Sequence, residues 1–247
     1  MPSAARPTTW LVTGSSRGIG FEIVKQLVAN PTNLVVAALR TPEKAPALHG
    51  LKAAAKGKLH IVKLDASDFD SIRESVKQID PILGDIGLDY LVSNAGILAH
   101  DTAFTLDPEE LLSLMRTNVA GPALLSQVLL PFIEKGERKV ILHMSSTGGS
   151  MQSVPLLSVL YGSASVGYAS YSMTKAALNM LTQKQKIERP DLIVIPMCPG
   201  PVKTDMNPVD GQIEPEESVQ GMLKVITTVT VNDSGKYLRY NGEVIPW

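Results

Sequence analysis

Hydrophobic positions in this chain fall into two alternating kinds of segment. Short, near-continuous runs rich in Val, Ile and Leu occur at residues 9–13, 34–39, 59–64, 88–93, 139–144 and 192–197. A strand covered on one face alternates apolar and polar side chains. A strand covered on both faces has no polar side to show, so these unbroken runs predict parallel strands buried between layers. Between them the apolar spacing lengthens to that of a helix. Ile19, Ile23, Val24, Leu27 and Val28 share one face of a segment at 19–30 that stops before Pro31. Further helices are expected at 68–79, which opens on an acidic turn, and at 108–132, with Asp107 as N-cap and Pro108 at the first helical position. Two more are expected at 171–187 and at 216–225, the latter after Pro215. This alternation, with right-handed crossovers, predicts an α/β fold. It is a single-domain, Rossmann-type doubly wound parallel sheet flanked by helices, occupying residues 1–247.

No internal repeat or linker divides the chain. The least regular stretches are 147–169, rich in Ser, Gly and Val with Pro155, and 204–214. Both follow strands. Ligands of open α/β sheets bind beyond the carboxyl ends of strands, so these loops are the expected substrate walls.

Composition narrows the class. With 44% apolar and 19% charged residues among 247, the chain can bury a large core. A formal charge of −1 argues against a nucleic-acid or anionic-membrane partner. No apolar run has the length of a membrane span, and residues 1–7 lack the apolar centre of a secretory leader. A cytoplasmic enzyme is expected. Cys198 is the sole cysteine, which excludes an internal disulfide and a thiolate metal cluster. His49, His60, His100 and His143 have no ligand spacing, so no metal is expected.

The first strand runs into Thr13-Gly14-Ser15-Ser16-Arg17-Gly18-Ile19-Gly20 and then into a helix. Gly14 permits a tight turn, Gly18 lets backbone approach a pyrophosphate, and Gly20 lets the helix pack on the strand. Ser16, Arg17 and Ile19 lie in the same loop, where the helix start offers free N–H groups to phosphate. The second strand ends Val36-Ala37-Ala38-Leu39-Arg40 with no carboxylate for a free ribose 2′-hydroxyl. Arg40 and Arg17 instead suit a 2′-phosphate through charge-assisted hydrogen bonds. The cofactor expected is NADP(H) rather than NAD(H).

Tyr171-Ser172-Met173-Thr174-Lys175 places a phenol and an ammonium at i and i+4 on one helical face. A neighbouring cation favours the phenolate, so Lys175 is expected to lower the pKa of Tyr171. A tyrosine tuned in this way donates a proton to a carbonyl oxygen or takes one from an alcohol.

With these motifs in order, alongside Asn94-Ala95-Gly96, Asn118, Ser146 and Pro199-Gly200-Pro201-Val202-Lys203-Thr204, the chain resembles an NADP(H)-dependent short-chain dehydrogenase/reductase. The resemblance runs from Trp10 to about Met206, and the ending at 235–247 resembles the sniffer-like carbonyl reductases. It implies Tyr171 as general acid/base, with Lys175 binding the nicotinamide ribose and tuning the phenol. Ser146 would hydrogen-bond the substrate oxygen, and Asn118 would hold a water that links Lys175 to solvent. Asp65 and Ala66 would lie at the adenine, Asn94, Ala95 and Gly96 beside the adenosine ribose, and Val202 and Thr204 at the carboxamide. Alternatives stand beside these roles. Ser146 could cap a turn with Ser145 as the reactive hydroxyl, Asn118 could be an ordinary helix residue, and Asp65 a turn acid.

The sequence departs from the family in two places. The interval from Ser146 to Tyr171 is 25 residues, longer than is usual, so an added loop must fold back; loops of this length are often lids. Lys175 to Leu192 is short for the family's long helix, which bears on the homo-oligomer, dimer or tetramer, that the resemblance implies. The expected pocket draws on Leu98, residues 146–151 and 154–160, Tyr168, Pro201 and Met206, with no arginine pair for an acidic substrate. The expected reaction is reversible reduction of an uncharged, hydrophobic ketone or aldehyde by NADPH. A catalytically silent NADP(H)-binding regulator is the competing reading, and an intact Ser146, Tyr171 and Lys175 set argues against it.

Overall fold

The computed structural model describes residues 6–161, 167–207 and 211–247. Its strands are β1 (Thr8–Thr13), β2 (Asn33–Leu39), β3 (Lys58–Lys63), β4 (Tyr90–Ser93), β5 (Val140–Met144), β6 (Ile193–Cys198) and β7 (Leu238–Arg239). They form one parallel sheet in the order β3-β2-β1-β4-β5-β6-β7. The order reverses between β1 and β4, which opens a crevice above their carboxyl ends.

Helices cover both faces: α1 (Gly18–Val28), α2 (Pro46–Ala54), α3 (Phe69–Leu83), α4 (Pro108–Met115), α5 (Gly121–Lys135), α6 (Val154–Tyr161), α7 (Ala169–Glu188) and α8 (Pro215–Thr228). Strand alternation divides the core. Trp10 and Val12 point toward Ile23, Leu27 and Met222 of α1 and α8, while Leu11 points toward Ile72, Ile79 and Leu129 of α3 and α5. Trp10 and Tyr90, paired across β1 and β4, stack with ring centroids 3.8 Å apart. Below the sheet, the buried Asp89 carboxylate accepts hydrogen bonds from Arg6, from Thr9, and from the backbone of Glu137 and Arg138.

Five elements differ from the sequence reading. The helix expected at 108–132 is interrupted by a π turn, Arg116–Ala120, carrying Asn118. The backbone there passes so close to β3's following loop that a Cβ on Gly121 would overlap the Ala66 carbonyl. The helix expected at 68–79 continues through Pro81 to Leu83, because Ile79 and Leu83 extend its buried stripe. The stretch 147–169 is partly regular: a 3-10 turn, Thr147–Gly149, precedes α6, whose Pro155 suits a first helical turn. Residues 162–166 of that stretch and 208–210 of the second loop lie outside the described residues. Finally, α2 and the two-residue β7 carry too little apolar periodicity to be read in advance; α2 buries only Leu48.

Candidate active site

The β1–α1 turn is built for close approach. Gly14 has φ +68°, and a Cβ there would stand 3.0 Å from the Ala95 backbone. A Cβ on Gly20 would overlap the Gly14 carbonyl. The turn is pinned to the end of β4. Asn94 Nδ2 donates to the Thr13 carbonyl at 2.9 Å, and Thr13 Oγ1 accepts from Asn94 N and Ala95 N, each at 3.0 Å. Arg17 begins α1 without a side-chain cap, leaving the first helical N–H groups open. Ser16 and Arg17 are exposed, and Arg17 Nη1 lies 3.6 Å from Asp205 Oδ2. Thr204 sits beside Gly18, and Val202 is buried and bridged to Ile213.

A groove of about 670 Å³ lies beyond the end of β2, beside β3 and the start of α3. Arg40, Lys44 and Lys63 line it together with Asp65, Asp68, Asp70 and Glu74. Arg40 and Asp65 were expected there; Lys44 and Lys63 were not, although both lie close to the strand ends that form a nucleotide crevice. Asp65 accepts from Ser67 N at 2.9 Å and Ser67 Oγ at 2.7 Å, an Asx-type turn, with Ala66 buried beside it. The glycine cradle fits a pyrophosphate, and Arg40, Lys44 and Lys63 offer cations to an added phosphate within a groove that acids also line.

The second cluster lies above β5. Lys175, on α7, is 3% exposed and gives its ammonium to the Met144 carbonyl at 2.7 Å. The same Nζ stands 5.2 Å from the Tyr171 ring centroid. Asn118 Oδ1 accepts from Ile97 N at 2.9 Å, while its Nδ2 donates to the Ile97 carbonyl at 2.9 Å and to Thr174 Oγ1 at 3.1 Å. Gly96 separates Asn118 from Lys175: a Cβ there would meet Asn118 Oδ1 at 3.2 Å and Lys175 Nζ at 3.8 Å. The π turn therefore aims Asn118 at the 94–97 segment and at the floor of the lysine.

Ser146 follows β5 in extended backbone, and its Oγ accepts from Gly148 N at 3.2 Å. The turn it opens packs so tightly on α7 that a Cβ on Gly149 would come within 2.8 Å of the Lys175 backbone. This contact brings Ser146 within the hydrogen-bonding neighbourhood of Tyr171 despite the long chain between them. Ser145 is turned away and buried, donating to Asn179 Oδ1 at 2.7 Å. Of the two candidate hydroxyls, Ser146 is the half-exposed one.

Burial sets the electrostatics. It pushes the Tyr171 phenol above its ordinary value, reinforced by Cys198 and Tyr237 and opposed by the Ser146 hydrogen bond. It pulls Lys175 down to about 8. The expectation that Lys175 lowers the phenol is not met, because the ammonium is held by Met144 and desolvation dominates. His143, fully buried and bonded to Gln185 at 2.8 Å, is pulled down to about 4 by burial and takes no part in the cluster.

In the segments that follow β5 and β6, Met151, Val154, Leu156, Val159 and Met206 are exposed apolar side chains. Tyr168 adopts φ +67° at the start of α7, its ring 4.8 Å from that of His100. The side chains of Leu160 and Tyr161 lie outside the described residues. Among the described residues no cluster of potential ligands suits a metal, and no helix is long and apolar enough to cross a membrane.

A glycine cradle at the switch point and a Ser, Tyr and Lys group beside it define the class: residues 8–214 match the short chain dehydrogenase family, and the chain belongs to it. The NADPH-bound carbonyl reductase from chicken fatty liver superimposes with a TM-score of 0.89 at 34% identity, covering 98% of this chain and 100% of that one. The carbonyl reductase Sniffer of Drosophila melanogaster gives 0.88 at 27%, with 98% and 100% covered. Among relatives by sequence, an uncharacterized oxidoreductase of Schizosaccharomyces pombe is 30% identical over 96% of this chain and 97% of its own. The short chain dehydrogenase gsfK of Penicillium aethiopicum is 30% identical over 98% and 100%.

Proposed function

We propose that this oxidoreductase uses NADPH to reduce an uncharged, hydrophobic ketone or aldehyde to the alcohol. The observation that carries the reading is the convergence of Ser146, Tyr171 and Lys175 at the carboxyl end of β5, next to the glycine cradle. Gly14, Ser16, Gly18, Ile19 and Gly20 would receive the pyrophosphate on the α1 N-terminus. Arg40, with Lys44 and Lys63 across the groove and Arg17 at the loop, would bind the 2′-phosphate. Asp65 and Ala66 would meet the adenine, Asn94, Ala95 and Gly96 the adenosine ribose, and Val202 and Thr204 the carboxamide. The NADPH-bound structure of the chicken relative supports this choice of cofactor.

Bound NADPH would supply the hydride that reaches the carbonyl carbon. Ser146 and Tyr171 would donate hydrogen bonds to the carbonyl oxygen as negative charge builds there. A phenol held well up its scale is protonated at neutral pH, so Tyr171 is ready to give its proton to the nascent alkoxide. Lys175 would hold the nicotinamide ribose and, with Asn118 and a water, return a proton to Tyr171. The exposed apolar side chains of α6 would cover a hydrophobic substrate.

The test is NADPH oxidation followed at 340 nm with a panel of apolar ketones and aldehydes. Tyr171→Phe should lower kcat at least ~100-fold with little change in NADPH affinity. Near-normal turnover in that variant sinks the assignment. Tight NADPH binding by the wild type with no carbonyl turned over moves the reading to a silent regulator.

A further inference from the structure

The segment after β6 reaches back across the sheet to the loop that carries Ser146. Tyr237, beside β7, is fully buried, and its hydroxyl donates to the Ser146 carbonyl oxygen. The same hydroxyl lies 3.4 Å from Ser145 Oγ. Ser145 Oγ donates to Asn179 Oδ1 at 2.7 Å, and Asn179 Nδ2 donates to the Gly149 carbonyl at 3.2 Å. Asn179 lies one helical turn beyond Lys175 on α7. Tyr237, Ser145, Ser146, Gly149 and Asn179 form a polar frame joining the C-terminal segment, the Ser146 loop and the helix that holds Tyr171.

The frame is reinforced from behind. The Tyr237 ring stacks on Trp247, with centroids 5.3 Å apart. The Trp247 carbonyl accepts from Gln152 N at 2.9 Å, and the Pro246 carbonyl accepts from Ser150 Oγ at 2.5 Å. Ile245 N donates to the Tyr237 carbonyl at 2.7 Å, closing the segment on itself. Residues 145–153 are thus tied at several points to a part of the chain distant in sequence.

We propose that Tyr237 is a positioning residue for carbonyl reduction: through the Ser146 carbonyl it fixes where the Ser146 hydroxyl stands relative to Tyr171. The inference rests on the function proposed above, in which Ser146 polarises the substrate. A side chain that only filled the core would be served equally well by phenylalanine. Tyr237 instead places its one donor on the peptide of the residue that presents the reactive hydroxyl. Ser146 is then held at both ends, by Tyr237 at its carbonyl and by Gly148 N at its Oγ. Small displacements of such a group are costly, because donors to a developing oxyanion act only when aimed at it.

The experiment is a double-mutant cycle on the full chain, with NADPH and 4-nitrobenzaldehyde as probe. Tyr237→Phe keeps the ring and its stack on Trp247 and removes the donor. Expected is a kcat about 10-fold below wild type, with NADPH Kd unchanged within twofold. Ser146→Ala should lower kcat at least ~100-fold. In that background Tyr237→Phe should cost nothing further. Tyr237→Phe at wild-type kcat beside an impaired Ser146→Ala overturns the proposal alone, as does an equal loss in both backgrounds. Ser146→Ala at full turnover overturns the reading beneath it. Should Tyr237→Phe fail to fold, Ser145→Ala cuts the same frame at its centre. A lowered kcat that vanishes beside Ser146→Ala then supports the proposal, and an unchanged one overturns it.

Discussion

Lys175 Nζ stands 5.2 Å from the centre of the Tyr171 ring but gives its hydrogen bond to the Met144 carbonyl, 2.7 Å away. The two groups share a helical face, as the i, i+4 spacing requires. Their electrostatics are governed by what surrounds both. Burial disfavours the charged form of each, so the phenol rises and the amine falls to about 8.

A buried amine with a lowered pKa leaves a signature in stability. Between about pH 8 and the ordinary lysine value of 10.5, Lys175 is neutral in the folded protein and charged in the unfolded chain. The unfolded state then binds more protons, so this group makes stability rise with pH across that window. At neutral pH the folded state carries a penalty on the order of 3 kcal/mol, the scale of such a shift. Lys175→Met removes it. Urea denaturation at pH 7.5 and pH 10 should show wild type gaining on the variant as pH rises. A constant difference would contradict the lowered pKa.

The cofactor preference proposed from Arg40 can be inverted. Arg40 lines the groove with Lys44 and Lys63, and β2 runs into Arg40 with no carboxylate at its end. Charge-assisted hydrogen bonds contribute about 1.5–3 kcal/mol each, so Arg40→Asp should weaken NADPH binding roughly 10- to 100-fold and improve NADH relative to it. Titration of both dinucleotides, read by their fluorescence, checks this. An unchanged ratio would mean that the 2′-phosphate lies elsewhere.

Much of this was legible because the signals were local. Unbroken apolar runs marked the central strands, and Gly14, Gly18 and Gly20 marked the turn where backbone must come close. The hidden features depend on distant chain. The apolar pattern through Leu114, Leu125 and Leu129 continues past the π turn, so nothing in its period showed that Asn118 had been rotated onto Ile97. Tyr237, between Lys236 and Leu238, looks like an ordinary tyrosine until the fold brings its hydroxyl to Ser146. The phenol's direction of shift was misread because spacing reports the neighbouring charge and is blind to burial.

Asp89 anchors the opposite end of the sheet. Its Oδ2 accepts from Arg6 Nη1 at 2.8 Å and Thr9 N at 2.9 Å, and its Oδ1 from Glu137 N at 2.8 Å. These bonds hold its pKa below the ordinary value against the opposing effect of burial, the largest single influence. Asp89→Ala orphans the donors and should cost about 3–5 kcal/mol in a denaturant titration at pH 7. A depressed carboxylate contributes stability above the unfolded value near 3.8 and loses it as pH falls through the folded one. The gap between variant and wild type should therefore narrow below about pH 4. A gap independent of pH would assign the loss to packing alone.

The start of α7 is capped from outside the helix, and that cap can be tested by itself. Tyr168 occupies the N-cap position in left-handed backbone and offers no side-chain hydrogen bond. Asp101 supplies it: Oδ1 accepts from Ser170 N at 3.0 Å, and its carbonyl accepts from Ala169 N at 3.3 Å. A carboxylate there also meets the positive end of the helix dipole. Asp101→Ala should cost about 1–2 kcal/mol, the range for loss of an N-cap acceptor. Asp101→Asn keeps an oxygen for Ser170 N and should recover most of that loss. Because Tyr171 follows Ser170 directly, kcat should fall in Asp101→Ala and return in Asp101→Asn, in step with the urea midpoints. If both variants unfold at the wild-type midpoint, the bond from Ser170 contributes nothing and the helix start is held by packing around Thr174 and Leu178.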